Sequence, residues 1–143
     1  MPDILHQFPV NAPAEKVFEA ISTPAGLDSW WTKTSSGQAE SGALFHFHFE
    51  PDYHWTGLVS KCVPASTFEF TMQTSDEDWE GTRVGFELTR EQDGTIVRFY
   101  HTGWKTENQH FRISSFCWAM YLRLLKRNLE TGEFVPYAER LSA

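Results

Sequence analysis

Cysteine is scarce: Cys62 and Cys117 are the only two in 143 residues, and they lie far apart with no Cys-x-x-Cys spacing. This excludes a disulfide framework or a thiolate zinc cluster and fits two thiols of a reducing compartment. Positive charge is also short. Twelve Lys and Arg stand against 19 Asp and Glu, for a formal net charge of -7, and no basic run would neutralise a row of phosphates, so no nucleic-acid partner is expected. No apolar stretch approaches the roughly 20 residues of a membrane span. The amino-terminal Met1-Pro2-Asp3-Ile4-Leu5-His6 lacks the basic and hydrophobic regions of a signal peptide. A cytoplasmic protein with no membrane partner is the resulting expectation. Internal repeats, low-complexity tracts and Pro/Ser-rich linkers are missing too, so we expect one domain over residues 1–143.

Motifs that carry chemistry are equally sparse. The sequence has no Gly-x-Ser-x-Gly elbow, no His-Glu-x-x-His, and neither glycine-rich pattern that cradles phosphates. Neither cysteine neighbours a positive cluster that would stabilise a thiolate. No catalytic residue, metal or cofactor is assigned.

What is abundant is aromatic: 12 Phe, 6 Trp and 4 Tyr make up 15% of the chain, enough either to fill a bulky core or to line a hollow. The apolar pattern orders these rings. An extended run at 4–10 is followed by a helical stretch opened by Asn11 and Pro13, with Val17, Phe18 and Ile21 on one face. Thr23-Pro24 starts a second short helix that is expected to carry Leu27, Trp30 and Trp31 on one side. From Gly37 to Gly103 the period becomes two, clearest in Phe45-His46-Phe47-His48-Phe49 and Phe68-Glu69-Phe70, which reads as an antiparallel meander of about six strands. Asp93-Gly94 marks a hairpin, whereas the register around Tyr53 to Val63 stays open because its alternation is broken. A long helix over Gln109 to Thr131 presents Phe111, Ser115, Trp118, Leu122, Leu125 and Leu129 as one stripe, ending at Gly132. The fold class is therefore α+β.

Pro13-Ala14-Glu15-Lys16-Val17-Phe18-Glu19-Ala20-Ile21 followed by Pro24-Ala25-Gly26-Leu27-Asp28-Ser29-Trp30-Trp31 resembles the opening of the START-like (SRPBCC) superfamily, within it the Hsp90 ATPase activator homologue group. Gly42 to Phe47, Gly57 to Pro64 with Phe68-Glu69-Phe70-Thr71, Phe86 through Asp93-Gly94 to Val97, and Leu122 to Gly132 continue the likeness in order. The resemblance implies a helix-grip (START/Bet v 1-like) fold, a curved sheet of six to seven strands around the long helix. It also implies a cavity between the two that holds an apolar ligand in many relatives, and no shared catalytic residue.

Phe45, Phe47, Phe68, Phe70, Phe86 and Phe99 from strands, with Trp118 and Tyr121 from the helix, are the cavity candidates, their alternative being ordinary core. Trp30, Trp31 and Trp104 are candidates for its mouth. Adjacent helical positions point about 100° apart, so only one of Trp30 and Trp31 is expected to face a ligand. His101 follows Val97 and Phe99 on the apolar side of a strand. It is expected either to orient a ligand or to be satisfied by a backbone carbonyl or Tyr121. His46 and His48, with Glu50 and His54 nearby, share a strand face, but Phe45, Phe47 and Phe49 take the inner one, and no metal is assigned there. The acidic stretch Asp76-Glu77-Asp78-Trp79-Glu80 reads as a solvated hairpin tip. Three functions fit: noncatalytic binding of a small hydrophobic molecule, a cyclase or aromatase-type enzyme with Glu69 or Glu87 beside His101, and a co-factor or interaction domain for an Hsp90-like chaperone or other protein.

Overall fold

The computed structural model describes residues 2–142. After strand β1 (Ile4–Val10), Pro13 holds φ at -62° and opens helix α1 (Ala14–Ser22), which buries Val17, Ala20 and Ile21 on one face. Thr23 caps helix α2 (Pro24–Asp28) by accepting the Gly26 N–H on its hydroxyl at 3.0 Å, and Pro24 takes the first helical position, where no N–H is needed. Gly26 permits the crossing of the two helices, since a Cβ there would lie 2.6 Å from the Ala20 Cα. The helical period predicts Trp30 and Trp31 on α2. Instead α2 stops at Asp28, and the N–H groups of Trp30, Trp31 and Thr32 converge on the Leu27 carbonyl at 3.2, 2.8 and 3.1 Å. That tightened turn allows both neighbouring indoles to be buried.

Strands β2 (Thr34–Ser36), β3 (Leu44–Phe49), β4 (Tyr53–Val63), β5 (Thr67–Thr74), β6 (Arg83–Glu91) and β7 (Gly94–Thr102) form an antiparallel meander. β1 returns to the edge beside β7, giving the order β1-β7-β6-β5-β4-β3-β2. The register of β4 slips twice, between Thr56 and Gly57 and between Val59 and Lys61. These two irregularities are why its alternation could not be read. The β6–β7 hairpin falls where expected but one residue early: Glu91 pairs with Gly94, leaving Gln92 and Asp93 as the turn. Gly94 is required by crowding, because a Cβ would run into the Val10 carbonyl.

Helix α3 (Gln109–Thr131) begins where the Asn108 side chain accepts the Phe111 N–H at 2.9 Å and ends at Gly132 with φ 76°. Its buried stripe is Ser114, Trp118, Leu122, Leu124 and Leu125, so Ser114 rather than Ser115 faces inward. The backbone of α3 approaches β1 and α1 and stands off from β3 and β4. Sheet and helix thus make two layers in the helix-grip arrangement, closed on one side and splayed on the other. Along the inner face of the sheet from β3 to β7, Phe45, Phe47, Phe68, Phe70, Phe86 and Phe99 are at most 2% exposed. Their rings meet mostly edge to face at 4.9–6.2 Å, a filled core in which each Phe contributes roughly 2 kcal/mol.

Candidate functional site

The splayed side of the grip leaves a hollow of about 190 Å³, walled by Trp31, Phe49 and Trp55 from the α2–β2 turn and β3–β4, and by His110, Ile113, Ser114, Cys117, Trp118 and Tyr121 from α3. Trp79 covers it. The acidic β5–β6 connection, expected to be a solvated tip, folds back over the interior: Trp79 is 7% exposed, lies parallel to Trp118 at 5.7 Å, and donates its indole N–H to Ser114 at 3.2 Å. His110 ties the same connection to α3 through Asp78 at 3.0 Å, with Asp76 at 3.9 Å. The connection bends inward because the apolar area of an indole outweighs the pull of its four acidic neighbours toward water, and they remain at the rim.

Of the residues picked from sequence, Trp31, Trp118 and Tyr121 line this hollow, while the six phenylalanines lie in the filled core. Trp30 is an anchor whose indole N–H donates to the Ala20 carbonyl at 2.9 Å. Trp104 lies behind Trp79, its buried N–H without a partner among the described residues and its ring edge-on to Phe111. Sequence reasoning missed Phe49 and Trp55, which continue the inner face of Phe45 and Phe47, and the α3 positions 110, 114 and 117, which share the flank of Trp118 at steps of three and four. Trp79 had no such signal, since nothing in an acidic loop marks one residue as inward.

His101 is fully buried, and its partners are neither a carbonyl nor Tyr121. The Trp118 indole donates to Nδ1 at 3.1 Å, and Nε2 lies 2.8 Å from the Thr82 hydroxyl, which donates to the Trp79 carbonyl at 2.6 Å. An indole only donates, so Nδ1 accepts and the proton sits on Nε2. Burial, assisted by nearby His110, pushes the His101 pKa down to about 3. The imidazole is neutral and saturated.

Neither carboxylate considered for catalysis joins it. Glu69 and Glu87 lie on the opposite face of the sheet, where Glu69 accepts from Tyr100 at 2.5 Å and Ser60 at 2.7 Å, and Glu87 is exposed. At the hollow itself, burial raises the Cys117 thiol above its ordinary range and pushes the Tyr121 phenol up to about 12. Ser114 is one helical turn from His110, but the His110 ring nitrogens face Asp78 and Asp76, so no serine–histidine relay forms. The Tyr121 hydroxyl has no hydrogen-bond partner among the described residues and remains available. His46 and His54 bond each other at 2.9 Å on the outer face, where His48 stacks on His54 at 4.5 Å. Among the described residues no three His, Cys, Asp or Glu converge as a metal site, and no helix is long and apolar enough to cross a membrane.

The sequence profile described as activator of Hsp90 ATPase homolog 1-like protein matches residues 11–130. The chain belongs to this family. The chain is similar to the Aha1 dimer from Colwellia psychrerythraea at 31% identity and a TM-score of 0.85, over 93% of this chain and 99% of that one. A Bacillus halodurans protein is 30% identical with a TM-score of 0.76, over 91% of this chain and 98% of its own. CalU16 from Micromonospora echinospora shares the fold, at 21% identity and a TM-score of 0.75, over 98% of this chain and 81% of that one. Among curated proteins none matches significantly. The activator-homologue family is part of the START-like superfamily and shares its helix-grip fold. The family match leaves out β1 and residues 131–143.

Proposed function

We propose that this protein is a noncatalytic binding module for a small, flat, apolar molecule held between Trp31, Phe49 and Trp55 on one side and Trp118 and Tyr121 on the other, against Trp79. The observation that carries the reading is the size and lining of the hollow. Its volume of about 190 Å³ is somewhat more than the ~150 Å³ that holds one benzene, so it suits one or two fused rings rather than a sterol or a long acyl chain. Aromatic walls supply affinity by apolar burial, and the Tyr121 hydroxyl supplies one orienting hydrogen bond. A noncatalytic role is supported by the state of the neighbouring groups: His101 is saturated, burial favours the protonated cysteine and tyrosine, Glu69 and Glu87 are on the far face, and His110 is held by Asp78.

Indole and 2-naphthol test this by thermal shift and tryptophan fluorescence. At a hundredfold excess over Kd, binding adds about 2.7 kcal/mol, a rise in Tm of roughly 5 °C or more. Cys117→Phe, which fills the hollow, should abolish the shift while circular dichroism remains native. Binding that survives Cys117→Phe, or no saturable shift with either probe, overturns the reading.

A second reading, a docking face for an Hsp90-type ATPase, is favoured by one observation. Phe116 and Leu141 are 79% and 73% exposed and flank a groove with Met120 on the outer face of α3, the kind of apolar patch that marks protein partners.

A further inference from the structure

The opposite flank of α3 carries a second, larger depression. Strand β1 turns His6 and Phe8 toward the helix, and α3 answers with Ala119, Leu122, Arg123 and Lys126, enclosing about 310 Å³. This volume is about twice that of a cavity that holds benzene. The floor is apolar, made by Phe8, Ala119 and the buried Leu122. The ionisable groups around it are cationic or imidazole, in a chain whose net charge is -7. Lys126 is already engaged, donating to the Pro9 carbonyl at 2.5 Å and to Glu130 at 2.9 Å, which closes the far end. Arg123, one helical turn earlier, is exposed and has no ion-pair or hydrogen-bond partner among the described residues. The His6 ring stacks on Phe99 at 6.1 Å, and its Nε2 is shielded from solvent without a hydrogen-bond partner among the described residues.

A buried imidazole nitrogen left unpaired is destabilising, and a free guanidinium offers a planar fork that fits a carboxylate. Both lie around one apolar floor. We propose that the groove between β1 and α3 is a second binding site, for a small monocarboxylate with an apolar tail. The tail lies on Phe8, Ala119 and Leu122 beside the His6 ring, and the carboxylate meets Arg123 at the rim. This site is separate from the hollow under Trp79: Leu122 and Trp118 are buried between the two flanks, and Arg123 lines this groove while no Lys or Arg lines the hollow. A neutral flat molecule has its place under Trp79 beside the acidic rim, and an anionic amphiphile has its place here.

Octanoate and octanol are the probes, followed by amide chemical-shift mapping on the full chain. Octanoate should produce saturable shifts centred on residues 6–9 and 119–126, and octanol, without the charge, should bind about ten-fold more weakly. Arg123→Gln is an exposed change that leaves the fold intact, and it should reduce octanoate affinity about ten-fold while leaving 2-naphthol binding unchanged. Ala119→Trp, which fills the groove without altering charge, should abolish octanoate binding. Absence of saturable shifts at millimolar octanoate, equal affinity for octanol, or shifts centred on Trp31, Trp79 and Tyr121 would overturn the proposal. Because 2-naphthol and octanoate report on different flanks, failure here and failure of the hollow under Trp79 are read separately.

Discussion

His101 carries its only proton on Nε2 because the Trp118 indole occupies Nδ1 and cannot accept. Burial in an aromatic interior, with His110 nearby, brings the pKa down to about 3, and a second proton would also break that bond. The consequence for stability follows in sign. Between about pH 6.5 and pH 3 the unfolded chain binds a proton at this residue that the folded chain does not, so stability falls as pH falls, by up to about 1.4 kcal/mol per unit. Above pH 7 the residue is neutral in both states and has no pH effect. His101→Gln is therefore expected to be destabilising at pH 7 and to lose less on acidification. In urea unfolding, the gap to wild type should narrow by about 2 kcal/mol between pH 7 and pH 4.5. A gap that stays constant with pH would mean that His101 titrates normally in the folded protein.

At the level of elements, the β5–β6 connection joins fold and site. It hangs on three attachments: the Trp79 indole on Ser114, His110 on Asp78, and the Trp79 carbonyl held by Thr82, which His101 positions. Trp79→Ala should cost about 3 kcal/mol in urea unfolding, the scale of a large buried aromatic. Asp78→Asn, at the exposed rim, should cost no more than about 1 kcal/mol. Were the connection a solvated tip, Trp79→Ala would change stability by less than about 0.5 kcal/mol. The sequence made the strands on either side of this connection legible through their alternation. It could not show the inward fold, because local charge argues for solvent and the opposing argument comes from rings that are close only in space.

Across the whole molecule, the chain's end is tied to its beginning by Arg140. Although 2% exposed, its guanidinium donates to the carbonyls of Val135 at 2.9 Å, Thr32 at 3.1 Å and Asp28 at 2.7 Å, and it lies between the rings of Phe134 and Tyr137. The C-terminal turn (Tyr137–Ser142) is thereby pinned to the end of α2, beside the turn that carries Trp30 and Trp31. Removing this planar fork leaves buried carbonyls unpaired, so Arg140→Ala should cost about 3 kcal/mol, measured as a lower Tm and urea midpoint. Arg140→Lys should restore less than half of that, because an ammonium cannot span three divergent acceptors. Full rescue by lysine would reduce Arg140 to a simple charge.

The sequence alone determined the order of elements, the inner faces of β3, β5, β6 and β7, both ends of α3 and the family, because period, caps and turn residues act over a few positions and are written along the chain. Only the tertiary structure decided which aromatics are core and which are wall. Phe45 and Phe49 stand on the same strand face, yet Phe45 is sealed by Phe68, Phe70 and the backbone at Gly37, while Phe49, at the other end of the strand, meets Trp31 and Trp55 at the wall of the hollow. The slips in β4, the partners of His101 and the inward turn of Trp79 have the same origin. Each depends on contacts between residues distant in sequence, whose balance of burial and hydrogen bonding is settled when the layers close.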